Sequence, residues 1–192
     1  MEPPQTKVQP ISSTFQIDEQ QQDESTKRLV VALKRLFFLA MFQVLAGCIH
    51  IVVASVEYVF LSLSDIRGLR IFPFSSWAPF WTGGMTISAG FIGMYASRQT
   101  PLITNICMKR WVFNHQIQSN ISMGMSLMCL GYAISGIFRC GNEIGCTTAA
   151  QAAIIAASVA AGLQAVVNVT NFIVFYCYRL TYGISNNCCR PY

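Results

Sequence analysis

Four long apolar stretches, at residues 36–63, 77–97, 121–138 and 148–178, occupy about half of a chain of only 192 residues. Each is close to the ~20 residues a helix needs to cross the hydrocarbon core of a bilayer, and each is bounded by charged or turn-forming residues. The remainder is an N-terminal segment, three short connections and a short C-terminal segment, too little for a soluble catalytic domain. The expected fold is an all-α membrane protein, a four-transmembrane-helix bundle, and whatever the chain does it is expected to do in or at the membrane.

Composition points the same way. Only 11% of the residues are charged and 53% are apolar, whereas a soluble domain carries about 25% charged residues. The net charge of +5 comes from bases that stand singly or in pairs at segment ends. That placement anchors helices and sets orientation, and it argues against nucleic acid as a partner. With a cytosolic N-terminus, Lys7, Lys27, Arg28, Lys34, Arg35, Arg98, Lys109, Arg110, Arg179 and Arg190 lie inside, against Arg67, Arg70 and Arg139 outside. Ten bases against three predicts that both termini are cytosolic.

Residues 1–26 are rich in Gln, Pro, Ser and acids and contain no apolar run. They are expected to form a disordered cytosolic tail, with no secretory leader, so that the first span targets the chain. The first helix is expected to start near Lys27, capped from Asp23, Ser25 or Thr26. Trp77, Phe80 and Trp81 mark the entry of the second helix at headgroup level, with Pro79 in its first turn. Residues 98–120 read as a cytosolic loop that includes an interfacial helix, and residues 139–145 as a very short outer loop. The domain boundaries are therefore 1–26, 27–180 for the membrane domain, and 181–192 for a short cytosolic tail.

Two polar stripes run inside the spans. Gln43, His50 and Glu57 recur every seven residues on the first helix, and Gln164, Asn168 and Asn171 are spaced by four and three on the fourth, so each set shares one helix face. At ~1.5 Å per residue, Gln43 is expected level with Asn171, and His50 level with Gln164. Hydrogen bonds between the stripes would then hold the first and fourth helices together. Glu57 is the one acid inside a predicted span. An intramembrane ionisable group marks a functional candidate, but its place near the outer end also permits a structural or interfacial role or pairing with Arg67, Arg70 or Arg139.

Small residues form packing ridges: Gly47 and Ala54 on the first helix, Ala89, Gly93 and Ser97 on the second, Gly131 and Ser135 on the third, and Ala157 and Ala161 on the fourth. Such ridges let helix backbones approach in lipid, within the bundle or between copies in a homo-oligomer. Among eight cysteines, Cys140 and Cys146 flank the outer loop and are placed for a small disulfide. Cys48 and Cys129 lie within spans as packing residues. Cys107, Cys177, Cys188 and Cys189 lie near basic residues at the cytosolic face, a setting for palmitoylation or for plain free thiols. No catalytic motif, metal-ligand spacing or cofactor motif is legible. An enzyme is not expected.

The string Gln43-Val44-Leu45-Ala46-Gly47-Cys48-Ile49-His50-Ile51 resembles the first-helix signature of the membrane-spanning four-domains subfamily A. That family includes the high-affinity IgE-receptor beta subunit and a B-lymphocyte surface antigen. Pro79-Phe80-Trp81 followed by Gly83 and Gly84 is similar to its Pro-Phe-Trp-Gly, and Ser88-Ala89-Gly90 to its Ile-Ser-Gly. Thr82 and Ala89 interrupt these motifs here. The resemblance covers about residues 34–179 and implies a non-catalytic tetraspan that forms oligomers or joins receptor complexes. It implies the lipid bilayer and other membrane proteins such as receptor subunits as partners. Residues 187–192 carry no retrieval signal, which makes the plasma membrane the expectation, with endosomal membranes also permitted. The outer loop is shorter than that of the B-cell member, and Tyr178 and Tyr182 lack the paired Tyr-x-x-Leu spacing of the IgE-receptor subunit. The other function weighed is an ion channel or channel-regulating subunit. The two differ in whether the polar stripes face each other in a dry bundle or line a wet cavity.

Overall fold

A computed structural model describes residues 12–63, 73–101, 105–142 and 147–184. Within them the chain forms four helices, α1 (Ser12–Leu63), α2 (Pro73–Ser97), α3 (Ile106–Asn142) and α4 (Thr148–Tyr178), and no strand. Each helix packs on the next and α1 closes the ring against α4. Three segments, Gln22–Phe60, Ile106–Phe138 and Thr148–Tyr178, are long and apolar enough to cross a membrane. The chain is thus an all-helical, multi-pass membrane protein. α2 is not among the three because Thr82, Gly83, Gly84, Thr86, Ser88, Gly90 and Gly93 dilute its middle. Large apolar side chains, among them Phe42, Val52, Trp81, Phe91, Met128 and Val166, point outward from all four helices, as a lipid surround requires.

Sequence reading and structure part at several boundaries. Residues 12–26 are not a disordered tail but the first turns of α1, which runs for 52 residues. Gln and Glu are good helix formers, and the exposed pairs Asp23–Lys27 (2.6 Å) and Glu24–Arg28 (3.7 Å) add i,i+4 support. Ser25 and Thr26, expected as caps, lie inside the helix and donate their hydroxyls back to the Gln22 carbonyl. α2 begins at Pro73, so Pro79 stands inside it rather than in its first turn.

The largest correction concerns residues 98–120. They are not a loop carrying a separate interfacial helix, because α3 runs unbroken from Ile106 to Asn142. The Asn105 carboxamide caps it by accepting from the Met108 N–H (3.2 Å). At its other end α3 continues through the first residues of the expected outer loop. α4 keeps the bounds read from the sequence, with Thr147 as its N-cap accepting from the Ala150 N–H.

Two packing devices hold the bundle. Between α1 and α2, a Cβ added to Gly47 would lie 2.7 Å from Ile87 Cγ1 and 2.8 Å from the Gly83 carbonyl, and one added to Gly90 would lie 2.7 Å from the Ala40 carbonyl. The two backbones approach in a way that only glycine permits. Below α4 the chain closes in a Schellman turn: Gly183 has φ 68°, Ile184 N–H bonds the Arg179 carbonyl and Gly183 N–H bonds that of Leu180. The turn drives Tyr182 into a core of Leu29, Ala32, Leu33, Leu36, Ala96, Met108 and Val112. Residues 181–184, expected to begin a free tail, are therefore part of the bundle.

Candidate functional site

The polar residues of the spans converge on the bundle axis. Gln43 is fully buried on α1, and its Nε2 donates to Ser119 Oγ on α3 (2.7 Å) and to Asn168 Oδ1 on α4 (2.9 Å). Asn168 Nδ2 donates to Ser122 Oγ (3.1 Å) and Asn171 Nδ2 to Ser119 Oγ (2.9 Å). Ser122 meets Thr86 of α2. Gln164 Nε2 donates to Thr86 and to the Thr82 carbonyl (3.1 Å), and Thr82 Oγ1 meets Cys129 Sγ at 3.2 Å. At the other end the His115 ring sits between the Ala89 carbonyl (Nδ1, 2.7 Å) and Asn171 Oδ1 (Nε2, 3.2 Å). A connected spine of polar groups thus follows α3 from His115 to Cys129, about 20 Å at ~1.5 Å per residue.

The stripes on α1 and α4 do meet, but one turn out of the expected register. Gln43 reaches Asn168 and not Asn171, and it binds α3 as well. His50 and Gln164 are not partners: His50 is buried on α1, and Gln164 crosses the bundle to α2. Glu57 is half-buried and has no ion pair or hydrogen bond among the described residues. Arg67 and Arg70 lie outside those residues, as does the side chain of Arg139.

Half of the spine was missed at the sequence level. His115, expected in a loop, is fully buried in α3. His115, Ser119, Ser122 and Ser126, spaced by four, three and four, form the same kind of stripe as those on α1 and α4. All four are buried. The signal was present, and Lys109 and Arg110 obscured it by drawing the membrane boundary too late.

The ridges divide. Gly47, Ala54, Ala89, Gly93, Ala157 and Ala161 are buried between helices, and Gly93 lies against Ala40 and the His115 ring. Ser97 is half-buried at the end of α2. Gly131 and Ser135 face outward instead, with open space beside Gly131, so this ridge does not pack within the bundle. Cys140 is disulfide-bonded; Cys146, Cys188 and Cys189 lie outside the described residues. Cys129 is buried, whereas Cys48, Cys107 and Cys177 are exposed free thiols.

Among the described residues, four buried polar atoms, Gln43 Oε1, His50 Nδ1, Gln116 Oε1 and Gln164 Oε1, have no hydrogen-bond partner. They lie on or beside the spine. Among the described residues, no group of three His, Cys, Asp or Glu is placed to hold a metal ion.

No family model, curated protein or solved structure matches the chain.

Proposed function

We propose that this protein is a non-catalytic tetraspan of the membrane-spanning four-domains subfamily A type, with α2 as the fourth span and both termini cytosolic. It acts as an accessory or scaffolding subunit of receptor or signalling complexes at the cell surface, modulating their signalling or trafficking. The observation that carries this reading is how the polar spine is used. Gln43, Asn168, Asn171, Ser119 and Ser122 bond directly to one another, and Thr86 links Ser122 to Gln164, so the chemistry inside the bundle is spent on holding four helices together. What the bundle offers outward is apolar side chains and the unpacked Gly131–Ser135 notch.

The family resemblance gains a physical reading from the same contacts. Gln43 and Gly47 of the first motif each touch another helix, and Gly83 and Gly90 of the other two sit at the α1/α2 crossing. Short motifs that hold every helix contact of this kind are what a shared tetraspan scaffold requires.

The alternative, a channel or channel-regulating subunit, is favoured by the continuity of the spine and by its unpartnered oxygens. Crosslinking in intact native membranes followed by mass spectrometry separates the two. Capture of a receptor or signalling subunit with the chain supports the accessory role. Capture of the chain alone, together with conductance in reconstituted bilayers, would overturn it.

A further inference from the structure

Between α2 and α3, at the end of the bundle where Arg98 follows α2 and Lys109 and Arg110 open α3, lies a groove of about 480 Å³. It is lined by Phe91, Ile92, Met94, Tyr95, Arg98 and Trp111. That volume falls in the range of about 300–1,000 Å³ that ligand sites occupy. Phe91, Tyr95 and Arg98 recur at four and three residues and are all exposed, so they form one outward face. Trp111 closes the groove from α3, its ring edge-on to Tyr95 with centroids 4.8 Å apart.

The groove is polarised. Its apolar wall, Phe91, Ile92 and Met94, runs along the part of α2 that faces away from the bundle. Its head is Arg98, whose Cζ stands 6.0 Å from the Phe37 ring centroid, at the outer limit of about 6 Å for a cation–π contact. The described ion pairs involve Lys27 and Arg28 and leave Arg98 without a carboxylate. The sequence contains no acid between Asp65 and Glu143, so this end of α2 and α3 is wholly cationic. Tyr95 and Trp111, rings with one polar edge, stand between head and wall, as such rings do at headgroup level.

A cation lacking a counter-charge above an aromatic and aliphatic trough is complementary to a phosphate above an acyl chain. We propose that the α2/α3 groove binds one anionic phospholipid, with its phosphate on the Arg98 guanidinium and an acyl chain along Phe91, Ile92 and Met94. Lys109 and Arg110 stand at the same end of the bundle but outside the groove lining. The lipid would tie the α2–α3 connection to the leaflet that carries anionic headgroups. The proposal rests on the membrane placement of the bundle and not on the accessory role.

Native mass spectrometry of the full chain in detergent micelles tests it, with phosphatidylserine and phosphatidylcholine of identical acyl chains as probes. Micelles have no sidedness, so the outcome does not depend on which face is cytosolic. One phosphatidylserine adduct is expected at about five- to tenfold preference over phosphatidylcholine. Arg98→Gln should reduce that preference to near one, while Arg28→Gln, outside the groove lining and paired with Glu24, leaves it intact. Equal retention of the two lipids, or a preference that survives Arg98→Gln, overturns the proposal. Displacement of the adduct by millimolar inorganic phosphate would do the same, by pointing to a soluble phosphate ligand.

Discussion

Gln43 Nε2 lies 2.9 Å from Asn168 Oδ1 and 2.7 Å from Ser119 Oγ, so a single carboxamide ties α1 to α4 and, across the bundle diagonal, to α3. Interhelical hydrogen bonds in membranes are worth about 0.6 kcal/mol on average and about 1.7 at most. Gln43→Leu should cost about 1–2 kcal/mol in a reversible detergent-unfolding experiment, since it removes two interhelical hydrogen bonds at once. In a double-mutant cycle Gln43→Leu and Asn168→Leu should be clearly non-additive. His50→Leu and Gln164→Leu, which share no bond, should add within about 0.5 kcal/mol. The reverse pattern would remove the register described for the spine.

Glycines in this chain should split into two classes on substitution. Gly47→Ala puts a methyl group 2.7 Å from Ile87 Cγ1 and 2.8 Å from a backbone oxygen of α2. The helices would have to separate, at about 1–3 kcal/mol. Gly131→Ala meets open space and relieves the helix of a poor former, a gain of up to about 1 kcal/mol. Thermal melting of both variants in one detergent checks the contrast; equal shifts would mean that the α1/α2 crossing is looser than it is drawn here.

The C-terminal turn should respond to alkali through Tyr182. Its phenol is fully buried and donates to the Ala32 carbonyl (3.1 Å), and burial raises its pKa above the usual value. An unfolded tyrosine ionises near about pH 10. The contribution is therefore complete below that pH and is lost as pH climbs from there towards the higher folded value. The wild-type melting temperature should drop more steeply above pH 10 than that of Tyr182→Phe. At neutral pH the variant should be less stable by about 1 kcal/mol. Identical alkaline slopes would place Tyr182 outside the core.

Cysteine labelling reads the orientation. Cys107 is exposed at the start of α3, two residues before Lys109, whereas Cys48 is exposed on the lipid-facing side of α1. With the basic end cytosolic, a membrane-impermeant maleimide should label Cys107 only after permeabilisation and leave Cys48 unmodified in both conditions. Labelling of Cys107 in intact cells would invert the topology.

Much of this was legible in the residues themselves. The four long apolar segments, the bounds of α4 and the two seven-residue and three-four stripes follow from hydropathy and from the 3.6-residue period alone. The same period, applied to His115, Ser119, Ser122 and Ser126, would have brought α3 into the spine. Thr82 and Thr86 were harder to find. A threonine in a span satisfies itself on its own helix, as both do by donating to the carbonyl four residues back, so nothing in the sequence shows that its oxygen also accepts from another helix.

What the sequence determined by itself is the solvent: long apolar runs with few charges demand lipid, and lipid demands helices with every backbone group satisfied. Partnership between helices is settled by packing. Whether Gln43 meets Asn168 or Asn171 depends on an axial offset of one helical turn, about 5 Å. That offset is set by where Gly47, Gly83 and Gly90 let the backbones touch, and by how the turn at Gly183 seats Tyr182. These are properties of surfaces in contact, and a side-chain period along one helix carries no information about its neighbour's height.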